Sequence, residues 1–266
     1  MQSLNGVLLY DKADAEYNSW FIDHIIEIGS EYGLNINLIL SEDIVIDDLK
    51  RYDFVISRNR NYEIAKALEN LSIRCINNSK TIEIGNDKYK MYKAFSEANI
   101  PQMYTQETKL PYPFVVKPRN GHGGQNVYLV NNEIEFEKVA DDINNNVIYQ
   151  IPATDKGRDI RAYVVGDTIL TAMERKAANA EDDFRANFSL GGTASEYSLN
   201  EDEIKLVSKV VDFLKPDFIG VDIIYNNGKP VVNEIEDAVG TRMLYKYTDI
   251  DPVREYIKWI DRTLRQ

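Results

Sequence analysis

Apolar positions in the first 78 residues alternate between short runs and helical spacing. Val7 to Tyr10 reads as a strand, and Ser19 to Glu31 carries a helical stripe through Trp20, Ile25, Ile26 and Ile28 until Gly33 stops it. Ile36 to Leu40 is the next predicted strand. Asp53 to Ser57 is another, and its unbroken Phe54, Val55 and Ile56 match a parallel strand buried on both faces. Tyr62 to Leu71 reads as helix and Ile73 to Ile76 as strand, so a small α/β domain is expected over residues 1–80.

The pattern changes after Thr81. Asp87 to Ala98 is a predicted helix that ends before the extended Ile100-Pro101 step. Phe114 to Lys117 and Asn126 to Val130 are strands on either side of a loop over Arg119 to Gln125. Strand, glycine loop, strand differs from the strand, glycine loop, helix of Rossmann and Walker sites. A helix over Glu133 to Ile143 and a strand over Val147 to Ile151 complete a second region, 81–150. In the third region, 151–266, Gly166-Asp167 joins strands Asp159 to Val165 and Thr168 to Arg175, and Ala177 to Ser189 reads as polar loop. Glu201 to Leu214 is the longest periodic helix, apolar at Ile204, Val207, Val210, Val211 and Leu214. A hairpin of Phe218 to Tyr225 and Pro230 to Ile235 follows, and a helix over about Pro252 to Leu264 closes the chain.

Composition narrows the partners. The 266 residues are 44% hydrophobic and 28% charged, as in an ordinary globular chain, with a formal charge of -12. That charge argues against general affinity for nucleic-acid backbone or anionic membrane, and favours small molecules or a basic peptide. The single cysteine, Cys75, excludes an intramolecular disulfide, and its apolar setting fits a reducing compartment. Asp11, Asp14 and Glu16 behind a short apolar run do not resemble a signal peptide, and no run of 18 apolar residues exists, so a cytoplasmic location is expected.

The candidate chemistry gathers at two places. Glu234 and Glu236 are two apart and share a strand face. A strict two-residue Asn227-Gly228 loop would pair Asp222 with Asn233, whereas an odd loop or a bulge would bring it opposite Glu234; the latter is favoured. Three oxygen ligands so placed suit Mg²⁺, while a solvated acidic face is the plain alternative. Lys117 ends an apolar strand before Pro118, where its ammonium can meet phosphates covered by backbone N–H groups of Gly121, Gly123 and Gly124, with His122 as a further donor; an ordinary turn with a solvent lysine is the alternative. Asp159 and Arg161 share a face and could simply pair with each other. Arg175, Arg185 and Asn187 could clamp an anionic transition state or simply face solvent.

Taken together, these segments resemble the ATP-grasp superfamily over nearly the whole chain. The branch is that of the ribosomal-protein glutamate ligases and the ligases that aminoacylate carrier proteins in lysine or arginine synthesis. The resemblance implies an α/β (α+β) ATP-grasp fold, a small N-terminal α/β domain followed by two α+β subdomains enclosing a nucleotide site. DKYKMYKAFSEANIP selects Lys88 as a phosphate contact, and VVKPRNGHGG selects Lys117 with the loop Gly121, His122, Gly123 and Gly124. IYQIP matches the adenine hinge at Gln150 and Ile151, and RDIRAYVVG brings Arg161 into the active site. ERKAANAEDDFRANFSLGG supplies Arg175 near the transferred phosphoryl group, Arg185 as a substrate contact and Asn187 near the phosphates. GVDII and NEIEDAVG select Asp222, Glu234 and Glu236 as metal ligands, although this branch usually has Glu-x-Asn and then proline-glycine where this chain has Glu236 and Val239-Gly240.

The implied activity is ATP-dependent carboxylate-amine ligation through an acyl phosphate. ATP and Mg²⁺, with Mn²⁺ as substitute, are the implied cofactors. Glutamate or another amino acid is the implied carboxylate, and a free amino acid, a peptide or a carrier protein the acceptor. A homo-oligomer without nucleic-acid or membrane partners is expected. A noncatalytic ATP- or peptide-binding protein is the main alternative, and phosphotransfer to a hydroxyl a further one.

Overall fold

The computed structural model describes residues 3–121, 123–143, 146–177 and 193–266. The N-terminal part contains β1 (Leu4–Tyr10), α1 (Lys12–Tyr17), α2 (Ser19–Glu31), β2 (Leu34–Leu40), β3 (Phe54–Ser57), α3 (Tyr62–Asn70) and β4 (Arg74–Ile76). The four strands are parallel in the order β2-β1-β3-β4. Alternation along β1 explains its unbroken hydrophobicity. Val7 and Leu9 face α3 with Val55, Ala65, Leu68 and Cys75, while Leu8 and Tyr10 face α2 with Phe21, Ile22 and Ile25. Gly33, at φ 72°, lets the chain leave α2 and turn into β2.

Next come α4 (Ser79–Asn86), α5 (Lys88–Glu97), β5 (Thr105–Gln106), β6 (Phe114–Pro118), β7 (Tyr128–Val130), α6 (Glu133–Val139) and β8 (Val147–Gln150). Here the strands are antiparallel in the order β5-β8-β6-β7, over a small core of Phe114, Val116 and Val130. Sequence spacing did not mark α4, and it carries α6 four residues too far.

The third sheet contains β9 (Arg158–Val165), β10 (Thr168–Lys176), β11 (Thr193–Tyr197), β12 (Phe218–Asn226) and β13 (Lys229–Glu236), in the antiparallel order β11-β10-β9-β12-β13. Helices α7 (Glu201–Leu214), α8 (Arg242–Tyr247) and α9 (Pro252–Leu264) complete the chain. Helix α7 is fixed by a capping box in which Asn200 accepts from the first turn and the Glu203 side chain reaches back to the Asn200 N–H. It buries Leu206, Val207, Val210 and Leu214 against Ile160, Ala162, Val164, Ile219 and Val221. Ile204 falls off this stripe at 44% exposed, and Trp20 falls off that of α2 at 59%. The chain is therefore an α/β unit followed by two α+β units.

Helix α9 joins the first sheet to the third, because Val253, Tyr256, Ile257 and Ile260 form an i, i+3, i+4, i+7 stripe in a core shared by Leu8, Phe54, Tyr163 and Phe218. Asn77 fastens the same junction. Its Nδ2 donates to the Phe218 and Asp237 carbonyls at 2.8 and 3.0 Å, and its Oδ1 accepts from the Asp217 and Phe218 amides at 2.7 and 2.9 Å. Asn77→Ala leaves four backbone groups without a partner at a buried position and should lower unfolding free energy by at least about 3 kcal/mol. Denaturant midpoints measure this, and a loss below about 1 kcal/mol would show that water replaces the side chain.

Candidate active site

Alternation on the third sheet lays one row of charge across its cavity face. Strand β9 turns Ile160, Ala162 and Val164 toward α7 and leaves Asp159 and Arg161 on the opposite face. Register then chooses their neighbours. Arg175 stands opposite Asp159, Arg161 opposite Asp222, and Asp222 opposite Glu234. The last pairing needs a correction in the hairpin. Asn227 and Gly228 form a two-residue turn with φ of 52° and 72°, which alone would set Asp222 against Asn233. A bulge between Asp222 and Ile223 shifts the register by one and restores Glu234.

The resulting contacts are short. Arg161 Nε and Nη2 donate to the two oxygens of Asp222 at 2.6 and 2.7 Å, and Nη2 also reaches Glu236 at 3.0 Å. Arg175 donates to Asp159 at 2.5 and 2.8 Å and to Asp222 Oδ2 at 2.7 Å. Thus Asp159 and Arg161 do not take up the pairing that their shared face allows. Each instead takes a bidentate partner across the sheet, where the register presents it more directly. Gly220 makes room for this. A Cβ there would lie 2.8 Å from the Val239 side chain, 3.3 Å from Arg161 Cδ and 3.4 Å from Glu236 Cβ, crowding the arginine on its way to Glu236.

The carboxylates respond differently to burial. Burial opposes ionisation of Asp222, but the Arg161 and Arg175 guanidiniums hold its carboxyl well below the usual range. Asp159 has the same burial and mainly one arginine, and it is pushed up to about 6. Glu234 is held low despite burial by Lys88 and Lys117.

The two lysines approach from the second sheet's side. Lys117, on β6, lies 3.4 Å from Glu234 Oε1, and Lys88, the first residue of α5, lies 3.7 Å from the same oxygen. Asp87 caps α5 through the amides of Tyr89 and Lys90, which fixes where Lys88 begins, and Lys88 also donates to the Gly121 carbonyl. Burial pushes the Lys117 ammonium downward, with Lys88 acting in the same direction and Glu234 against it. Gly123 and Gly124 take φ of 67° and 73°, and the Gly121 amide closes a turn onto the Pro118 carbonyl. At the hinge, Gln150 donates to Thr105 Oγ1 and the Ile151 amide to the Tyr104 carbonyl; Pro152, next in the chain, has no N–H.

These elements enclose a cavity of about 560 Å³. Lys117, Gly123, Gly124, Gln150, Arg161, Arg175, Asp222, Glu234 and Glu236 line it; Lys88, Gly121 and Ile151 do not. His122, Arg185 and Asn187 lie outside the described residues, as does residue range 178–192 of the expected polar loop. Among the described residues, no three carboxylate, histidine or cysteine groups close around a common point that a cation would occupy. The acids are held instead by four basic side chains of the protein. Asp222, Glu234 and Glu236 still form an oxygen-only donor set on one face, which fits Mg²⁺ in chemistry. Gly220, which admits Arg161, is a functional position that spacing did not single out; spacing placed Asp159 beside Arg161, and the register gives it Arg175 to orient instead.

Comparison with known proteins agrees with this architecture. Residues 61–260 match the family of the RimK-like ATP-grasp domain. The ribosomal protein bS6–L-glutamate ligase of Escherichia fergusonii is 36% identical over 154 residues, which span 56% of this chain and 51% of the ligase. The uncharacterized protein MG011 of Mycoplasma genitalium is 28% identical over 253 residues, 92% of this chain and 88% of that protein. Among solved structures, D-cycloserine synthetase DcsG superimposes with a TM-score of 0.75 at 16% identity, covering 98% of this chain and 99% of that one. D-alanine–D-alanine ligase from Bacillus anthracis gives 0.75 at 15% identity, with 99% of each chain covered.

Asp159 supplies a pH test. Its folded value near 6 lies above the unfolded aspartate value of about 4, so its contribution to stability is present in acid and lost as pH rises through that window. Relative to Asp159→Asn, the wild type should therefore lose stability between pH values of about 4 and 6 in chemical denaturation. The opposite slope would put Asp159 with the depressed carboxylates.

Proposed function

The chain belongs to the RimK-like ATP-grasp family, and from that premise we propose that it is an ATP-dependent carboxylate-amine ligase. A substrate carboxylate attacks the γ-phosphate of ATP and ADP departs. An amine then displaces phosphate from the acyl phosphate to form an amide.

The observation that carries this reading is the unequal grip on the two sides of the cavity. Arg161 and Arg175 are locked by bidentate bonds of 2.5 to 2.8 Å, so their charge is fixed before substrate arrives. Lys88 and Lys117 share one oxygen of Glu234 at 3.7 and 3.4 Å, beyond good hydrogen-bond length. Lys117 can turn to incoming phosphate oxygens at little loss, and Lys88 can do so by exchanging its bond to the Gly121 carbonyl. Arg175 then faces the charge of the transferring phosphoryl group, and Gly123 and Gly124 let the β6–β7 loop backbone approach the nucleotide. Bound Mg²⁺, for which Mn²⁺ can substitute, would be held by Asp222, Glu234 and Glu236 and would neutralise phosphate charge. The amino-acid carboxylate is proposed as glutamate or a relative, in keeping with the arginine-rich wall, and a peptide or carrier protein can present the amine.

Purified protein with ATP, Mg²⁺ and pooled amino acids should release ADP in step with an amide detected by mass. ATP binding without turnover across the pool would instead favour a noncatalytic binding protein, the reading that a fully paired set of acids supports. Lys117→Ala should reduce turnover at least about a hundredfold. Because Arg161 already neutralises Glu236, Glu236→Gln should stay within about tenfold of wild type, while Glu234→Gln, which frees both lysines, should lose at least about a hundredfold. Equal losses in these two glutamate variants would overturn the division of labour between them.

A further inference from the structure

Beyond the charged row, the cavity runs into the first sheet, where one buried cation has no carboxylate partner among the described residues. Arg58 is 7% exposed, follows β3 directly and lines the cavity. Its Nε donates to Tyr10 Oη at 3.3 Å, its Nη2 donates to the Val239 carbonyl at 3.1 Å, and its guanidinium carbon lies 4.9 Å from the centre of the Phe21 ring. Of five N–H groups, three have no partner among the described residues. Arg161 and Arg175, equally buried, each hold a carboxylate in two bonds; among the described residues Arg58 has no carboxylate oxygen within 4.0 Å. Asp237 acts on it only from longer range. A buried guanidinium left in this state is unfavourable unless a ligand completes it.

Its location has a topological reason. In the order β2-β1-β3-β4 the chain leaves β1 toward one side for β2 and toward the other for β3. The crevice beyond the carboxyl ends of β1 and β3 is therefore the switch point at which open parallel sheets bind ligands. Tyr10 ends β1 and Arg58 follows β3, so both stand at that crevice. The 13-residue helix α2 starts there too; Asn18 makes no side-chain cap to it, and its amide donates instead to the Asp14 carbonyl. The positive end of the helix dipole adds to the field of Arg58. Arg60 nearby is already paired with Asp14 at 2.7 Å, and Arg242 is exposed and donates to Tyr17 Oη, so among the described residues Arg58 is the buried cation that this part of the pocket leaves without an ion pair. One guanidinium fork with one net charge matches a carboxylate better than a phosphate dianion.

We propose that Arg58 binds a substrate carboxylate that is not activated and that survives in the product, namely the terminal α-carboxylate of an amino acid or peptide. This deepens the ligase reading and rests on it for the identity of the reacting groups. The carboxylate to be phosphorylated belongs near Arg175, and Arg58 holds the other end of a substrate through the loop at Val239, just beyond Glu236.

Calorimetric titration of the 266-residue chain with each standard L-amino acid and its α-carboxamide, in the presence of Mg²⁺ and a nonhydrolysable ATP analogue, tests this directly. At least one acid should bind at least about thirtyfold more tightly than its carboxamide; Arg58→Gln should remove that preference, Arg58→Lys should restore part of it, and the ATP analogue should bind all forms alike. N-acetylated amino acids separate the two sources of such a carboxylate, since a peptide terminus survives acetylation and a free amino acid does not. The proposal is overturned if no acid binds the wild type, if acid and carboxamide bind equally, or if a folded Arg58→Gln keeps the preference. Should Arg58→Gln fail to fold, the acid-against-carboxamide comparison on wild type and Arg58→Lys decides. Loss of amide formation with Arg58-dependent acid binding intact would sink the ligase reading and leave the carboxylate site standing.

Discussion

The buried carboxylate of Asp222 is the group on which the candidate site depends. Two arginines from two strands converge on it, and without it Arg161 would keep only Glu236 and Arg175 only Asp159. Removing one partner from such a set leaves an uncompensated buried charge, so the sheet is committed to the register that keeps all of them together. The bulge at Asp222 and Ile223 follows from this demand. So does the open space above Gly220, because a side chain there would interrupt the span from Arg161 to Glu236.

That lattice also explains why the cavity is asymmetric. Guanidinium groups hold carboxylates through two parallel bonds, and these are costly to break once dry. Ammonium groups act as point charges, and the two that meet at Glu234 do so at distances where little directional bonding remains. One wall is therefore rigid and the other exchangeable. A reaction that transfers a charged group benefits from this division, with fixed charge at the transferring centre and replaceable charge along the nucleotide. The first sheet adds a third kind of cation in Arg58, buried like the arginines of the lattice but lacking their carboxylate.

Elements with local determinants were legible from residue pattern alone. Helices α2, α7 and α9 have the bounds that their spacing implies, because Gly33, the Asn200 box and Pro252 mark their ends within a few residues. The fold class was legible too, through the buried runs of the first sheet and the glycine loop between two strands. What escaped is non-local. Helix α4 shows only a short apolar pattern, and β11 is an edge strand with little apolar alternation, so neither announces itself. Asp159 could be placed on the same face as Arg161 from their spacing, but its true partner is sixteen residues away and depends on the β9–β10 register. Arg58 sits in a polar SRNRN stretch that reads as an ordinary turn; only the strand order places that stretch at the crevice beyond β1 and β3.

Glu236 shows how one such cross-strand contact changes the meaning of a residue. As a third acid beside Asp222 and Glu234 it adds charge, and charge alone would demand a cation or a raised pKa. Arg161 removes that demand, since its Nη2 serves Asp222 and Glu236 together at 2.7 and 3.0 Å. The four acids Asp159, Asp222, Glu234 and Glu236 then face the four bases Lys88, Lys117, Arg161 and Arg175, and the set is neutral without any ligand. A nucleotide phosphate entering such a site brings excess negative charge that this balance does not absorb. A divalent cation arriving with it offsets part of that charge, which makes joint entry of phosphate and cation the electrostatically consistent event.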